Sequence, residues 1–149
     1  MTDIDIRPLP AMRIAAATDV VPADAVSGVV EALFQEVQAV FGHAPGAQDV
    51  PIATYASEGD RMRVAAGYLV GMLVPEGLES VELDAEEQVA TIEHRGPMAG
   101  VRATWSTLHD AIAERGLVPS GVARERYVRA VSADQGDWIV ELQQPVRAA

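Results

Sequence analysis

The segment from residue 88 to residue 116, QVATIEHRGPMAGVRATWSTLHDAIAERG, decides the fold of this chain. It begins with Gln88–His94, which is typical of a strand, and turns at Arg95-Gly96-Pro97. Beyond the turn, apolar residues recur every three or four positions, at Val101, Trp105, Leu108 and Ile112. Gly116 is typical of a residue that ends a helix. The segment therefore predicts a strand followed by a helix with one apolar face.

The same order of elements occurs twice along the chain. In the second half, two more strands follow the helix, at residues 124–131 and 138–146. In the first half, a strand, a helix and two further strands are predicted at residues 12–18, 26–41, 51–56 and 61–73. The repetition indicates an internal duplication.

This duplication leads to a prediction of the fold class. Short turns join the strands of each hairpin, which indicates antiparallel pairing. We predict an α+β fold of duplicated β-α-β-β units with an antiparallel sheet and two long helices. The prediction places one domain at residues 1–149, with internal repeats at about residues 3–74 and 88–146. The interface between two such units is a common place for a ligand cleft.

The composition is that of a folded chain without affinity for membranes or nucleic acid. Its 149 residues are 49% hydrophobic, enough to bury a core. No apolar run approaches the ~18 residues of a membrane-spanning helix, and the start at Met1–Ile6 does not resemble a secretory signal. We therefore place the protein in the cytoplasm. The net charge of −11 and the lack of lysine predict no direct binding to nucleic acid.

Cysteine and histidine usage predicts neither a metal site nor a cofactor. Without cysteine, disulfides, thiolate catalysis and sulfur-ligated metals are excluded. The three histidines, His43, His94 and His109, show no metal-ligand spacing. We interpret them as surface or capping residues.

Four short motifs lie in a fixed order: Ile6–Ala15, Arg95-Gly96-Pro97, Glu125-Arg126-Tyr127 and Trp138–Val146. Together they resemble the GyrI-like family, also described as AraC-type or bacterial transcription activator effector-binding domains. The resemblance spans essentially the whole chain. One departure is Met98, because relatives often carry an aromatic residue just after Gly-Pro. This departure weakens the argument for a flat, dye-like cation as the ligand.

The resemblance implies a pseudo-two-fold pair of units with a ligand cleft between them. It implies a stand-alone small-molecule or multidrug binding protein, cationic ligands included, because no residues remain for a DNA-binding domain. Stand-alone relatives are also described as hydrolases of cyclopropane-bearing natural products, or as inhibitors of DNA gyrase. The family's pocket carboxylate, in its Glu-x-Tyr strand, maps onto Glu125.

Glu125 and Tyr127 are the first candidates for ligand contact. Residues two apart on a strand share a face, so both side chains are expected to point the same way. An inward carboxylate attracts a cation, and neighbouring rings add cation–π contact. The alternative is an outward Glu125 that pairs with an arginine, at Arg124, Arg126 or Arg102.

Four aromatic residues complete the predicted ligand site. Tyr55 takes the position of Tyr127 when the two halves are superposed, and Trp138 begins the last strand. Tyr68 and Trp105 are candidates too, although each also fits ordinary core packing. For a hydrolase, Glu125 would be the general base. No independent catalytic motif is present, so we expect a binding protein rather than an enzyme.

The stretch from Glu76 to Glu87 carries acidic charges and no basic residue. It predicts a solvated edge strand or connector. A third hypothesis is that this stretch binds a basic protein surface, as a gyrase inhibitor would.

Overall fold

The described part of the chain contains two α-helices, nine strands and three short 3-10 helices. The computed structural model describes residues 3–42, 51–70, 74–130 and 134–149. The elements are β1 (Asp5–Leu9), β2 (Met12–Pro22), α1 (Val26–Phe41), β3 (Pro51–Glu58), β4 (Arg61–Leu69), β5 (Glu79–Leu83), β6 (Glu86–Arg95), α2 (Val101–Glu114), β7 (Leu117–Pro119), β8 (Ala123–Arg129) and β9 (Ile139–Ala148). The prediction of an α+β fold with an antiparallel sheet and two long helices is confirmed.

Some element ends differ from the sequence prediction. β4 ends at Leu69, and residues 71–73 of the predicted strand lie outside the described residues. β8 ends at Arg129, and residues 131–133 likewise lie outside them. The three-residue β7 has no counterpart in the prediction, because so short a strand shows no periodicity. It exists because it pairs with the end of β9.

The strand order is symmetrical about the pair β3–β8, as expected for a duplicated chain. Along the sheet the order is β1-β6-β9-β8-β3-β4-β2-β5, and β7 pairs with β9 outside this path. β3 and β8, the equivalent strands of the two halves, meet at the centre, where Ala53 lies opposite Glu125. β1 of the first half pairs with β6 of the second half. In the same way β5, which begins the second half, pairs with β2 of the first half. This exchange ties the halves together.

Both helices cover the same face of the sheet. In α1, Leu33 packs against Val64 and Ala66 of β4. In α2, Leu108 and Ile112 join a cluster with sheet residues of the second half. Side chains alternate between faces along a strand, so every second sheet residue faces the helices. No helix in the described ranges is long and apolar enough to cross a membrane.

Candidate functional site

Glu125 lies at the centre of the sheet and points toward the helices. It sits on β8, and only 3% of its surface is exposed. Burial of a carboxylate costs free energy unless hydrogen bonds or an opposite charge compensate for it. The contacts of this side chain therefore decide what the site can bind.

Three neutral groups donate hydrogen bonds to Glu125. The hydroxyls of Tyr55 and Tyr127 donate to Oε1 over 2.5 Å and 2.8 Å. The indole Nε1 of Trp105 donates to Oε2 over 2.8 Å. The donors come from β3, β8 and α2, so both halves of the chain build the site. None carries a positive charge, so the carboxylate is solvated by dipoles and keeps its attraction for a cation.

The two tyrosines remain neutral donors. Burial is the largest cause that raises the pKa of Tyr55 well above its usual 10.0, and the charge of Glu125 raises it further. Burial also raises the pKa of Tyr127, with added contributions from Tyr55 and Glu125. An ionised phenol beside a carboxylate would add a second buried negative charge. The hydroxyls therefore act as hydrogen-bond donors at any ordinary pH.

These shifts predict a loss of stability at alkaline pH. Below the unfolded-state pKa of 10.0, both the folded and the unfolded chain keep the phenolic protons, so the free energy of unfolding has its full value. Above that pH the unfolded chain releases them first, so the free energy of unfolding falls by up to about 1.4 kcal/mol per pH unit for each tyrosine. Urea unfolding at about pH 9 and about pH 11 measures the fall. In the double variant Tyr55→Phe/Tyr127→Phe the fall should be much smaller; an equal fall would contradict the assignment.

Aromatic and apolar side chains pack against the residues that donate to Glu125. Phe34 of α1 meets Tyr127 edge to face, with ring centroids 5.3 Å apart. The Trp105 ring meets His109 in the same manner at 5.9 Å. Val30, Ile92, Met98 and Val101 pack against the buried apolar cluster that contains Tyr127. Phe34 was not among the contact residues predicted from the sequence. In the sequence it is one of the apolar residues that recur along α1.

The other predicted contact residues lie in different surroundings. Tyr68 is fully buried and packs against Phe41, with ring centroids 4.8 Å apart. Trp138 is partly buried just before β9, and its carbonyl oxygen accepts a hydrogen bond from Gly96 N over 2.9 Å. Neither is among the three donors to Glu125. Their contact with a ligand stays a prediction.

The arginines next to Glu125 in sequence occupy the opposite face of the sheet. Arg124 is 1% exposed, and its Nε and Nη2 donate to the carbonyl oxygens of Val122 and Asp84, each over 3.3 Å. Burial lowers the pKa of Arg124, while the charges of Glu86 and Asp84 raise it. Of the two orientations that the sequence allowed for Glu125, the structure shows the inward one.

Glu141, on β9, lies on the helix-free face of the sheet. It forms an ion pair with Arg7 over 2.7 Å and accepts a hydrogen bond from Gln143 over 2.7 Å. Burial alone would raise the pKa of Glu141, but the bonds from Arg7 and Gln143 outweigh it and lower that pKa. This acid serves to hold β1 on the sheet.

A groove of about 350 Å³ lies apart from Glu125 and its three donors, none of which lines it. It is lined by β2 to β5 and the approach to β8, through Thr18, Thr54, Ala56, Arg63, Ala65, Glu79, Ser80, Val81, Glu82, Leu83 and Val122. Glu125 itself is covered by its three donors, so a ligand in direct contact with the carboxylate would have to displace one of them. A general base at this position would likewise have to release a donor before it could bind water.

The part of the acidic stretch that forms β5 lies at an edge of the sheet, whereas Glu86 and Glu87 begin β6, an interior strand. β5 is the last strand of the sheet on its side, next to β2. Glu79 accepts a hydrogen bond from Thr18, and Glu82 pairs with Arg13 over 2.6 Å. These contacts hold β5 on β2; binding of a protein partner here stays a prediction.

The histidines are not grouped as metal ligands. Across residues 3–42, 51–70, 74–130 and 134–149, no cluster of three or more histidines and acids could hold a metal ion. His94 is 6% exposed and hydrogen-bonded, and His109 is exposed beside Trp105. His43 lies outside the described residues.

Comparison with known proteins agrees with the sequence resemblance. The family model described as GyrI-like small molecule binding domain matches residues 2–147. No curated protein matches the sequence.

Several solved structures share the fold at low sequence identity. The C-terminal domain of EcmrR has a TM-score of 0.70 at 16% identity, covering 99% of this chain and 98% of that one. In an EcmrR–DNA complex the TM-score is 0.75 at 18% identity, and the match covers 99% of this chain but 58% of that one. SAV2435 bound to tetraphenylphosphonium has a TM-score of 0.77 at 13% identity, covering 98% and 94%. A hydrolase from Listeria innocua has a TM-score of 0.60 at 14% identity, covering 97% and 91%.

Proposed function

The chain belongs to the GyrI-like small molecule binding domain family, and we propose that it binds lipophilic organic cations at Glu125 in the cytoplasm. The observation that carries the proposal is a carboxylate that is 3% exposed and accepts hydrogen bonds from three neutral groups, with no charged donor among the residues that the structure describes. A buried negative charge of this kind is stabilised by a positive one. A ligand with an apolar body and a central cation supplies both the charge and the fit to the rings.

The surroundings of Glu125 favour cations over neutral or anionic molecules. Tyr127 and Trp105 hydrogen-bond to Glu125, and Phe34 packs edge to face with Tyr127. A cation that meets the face of such a ring gains about 0.5–2 kcal/mol. An anion of the same shape would meet like charge at low dielectric and be rejected. SAV2435, similar in fold, was solved with tetraphenylphosphonium bound, which makes this compound a suitable probe.

We expect tetraphenylphosphonium to stabilise the protein and tetraphenylborate to leave its melting temperature unchanged. The two ions have the same shape and opposite charge, so the comparison isolates the electrostatic contribution. At about 100 times the dissociation constant, a ligand that binds the folded state adds about 2.7 kcal/mol, which corresponds to a rise of roughly 5–10 °C. Thermal unfolding followed by circular dichroism measures it. Equal stabilisation by both ions would show hydrophobic binding without charge selection, and no effect of either would refute the proposed function.

A further inference from the structure

The start of α2 is fastened to the sheet by a buried histidine. His94 is the next-to-last residue of β6 and is 6% exposed. Its Nε2 lies 2.9 Å from the carbonyl oxygen of Pro97, and its Nδ1 lies 2.7 Å from Oγ1 of Thr104 in α2. One ring thus links the strand, the turn and the helix.

The partners of His94 fix the direction of its hydrogen bonds. The Pro97 carbonyl can only accept, so Nε2 carries the proton. In the neutral ring Nδ1 is then an acceptor, and the Thr104 hydroxyl donates to it. Both ring nitrogens therefore have a hydrogen-bond partner. These bonds fix the position of the first turns of α2 relative to β6.

Thr104 directly precedes Trp105, the donor to Oε2 of Glu125. A shift or rotation of the helix at Thr104 would carry the indole with it, because both residues belong to the same helical turn. A second tie, from Met98 N to Oε1 of Gln135 over 2.8 Å, holds the turn before α2 but does not reach this part of the helix.

We propose that His94 and Thr104 form a positioning pair that sets the indole of Trp105 on Glu125. The inference rests on the proposed function. It attributes the position of the Trp105 indole at the ligand site to the hydrogen bond between His94 and Thr104, which lies outside that site. Neither residue touches the carboxylate. Their effect on a bound cation is exerted through Trp105, whose position they restrict before any ligand arrives.

The test removes the Thr104 hydroxyl without changing the volume of the side chain. In Thr104→Val, the ¹⁵N–¹H indole resonance of Trp105 should move toward the position of an indole without a hydrogen bond; Trp105→Phe assigns it against Trp138. Thr104→Ser keeps the hydroxyl and should restore the wild-type position. Thr107→Val is the matched control, since that hydroxyl donates to the Ala103 carbonyl one turn along the same helix.

Binding of tetraphenylphosphonium gives the second readout. Thr104→Val should weaken it roughly three- to tenfold, because a freed indole must be ordered again on binding. In a Trp105→Phe background, Thr104→Val should cause no further loss, since its effect passes through the indole. Equal losses in both backgrounds, or a loss without movement of the indole resonance, would overturn the positioning pair. A shifted resonance in a protein that binds no cation would instead refute the proposed function and leave the pair intact.

Discussion

Replacement of Glu125 by glutamine is expected to abolish tight binding of tetraphenylphosphonium. The substitution keeps the shape of the side chain and removes the buried negative charge that lies among Tyr55, Tyr127 and Trp105. A charge pair a few ångströms apart in a partly desolvated site contributes about 3 kcal/mol, so affinity should fall roughly 100-fold. Isothermal titration calorimetry of the two proteins at equal ionic strength measures the difference.

Glu93→Gln is the control for this variant. It removes the same charge from an exposed side chain of β6 that pairs with Arg95 over 2.8 Å. The net charge changes equally in both variants, and the buried site changes in one of them. Binding in Glu93→Gln should stay within about twofold of the wild type, because exposed charges are screened by salt. A comparable loss in both variants would assign the selectivity to overall charge and refute a site at Glu125.

Gly67→Ala is expected to have the largest effect on stability. A Cβ added to Gly67 would collide with the carbonyl oxygen of Ala15 and lie 2.7 Å from Cα of Ala16. These are backbone atoms of β2, paired with β4 in the interior of the sheet, and they cannot move without breaking the pairing. We expect a loss of about 3 kcal/mol or more in the free energy of unfolding, enough to deplete the folded protein.

Gly28→Ala provides the matching substitution at an open position. A Cβ at Gly28, in α1, meets no atom within 4 Å. Alanine should therefore stabilise the helix by about 0.5–1 kcal/mol. Urea unfolding of both variants, with the wild type alongside, gives the two changes. If Gly67→Ala were as stable as the wild type, the close approach of β2 and β4 at this point would be wrong.

The halves of the chain differ at their centre, and the difference limits the site to one carboxylate. Ala53 lies opposite Glu125 across the β3–β8 pair. Ala53 is fully buried and has no charge to offer. A single carboxylate near a pseudo-two-fold position predicts one cation per chain, a stoichiometry that the titrations above report directly.

Local pattern was sufficient for the elements and for part of the site. The spacing of Val101, Trp105 and Ile112 determined α2, because an apolar stripe has to face a core. Strand alternation determined that Glu125 and Tyr127 share a face. The family resemblance pointed to Glu125 as the pocket acid, and the structure places that side chain beneath the helices. The inward orientation was one of two alternatives that the residues alone left open.

The order of strands and helices, their repetition and the faces that each presents follow from residues a few positions apart, so the sequence was enough to predict them. Which distant side chains meet depends on the packing of the whole chain. Tyr55 reaches Glu125 across 70 positions and Trp105 reaches it across 20, because β3 pairs with β8 and α2 lies over that pair. The exchange of β1 and β5 between the halves, and the contact of His94 with Thr104, depend equally on packing. A periodic pattern indicates that a residue is buried, but it does not identify the residues that pack against it.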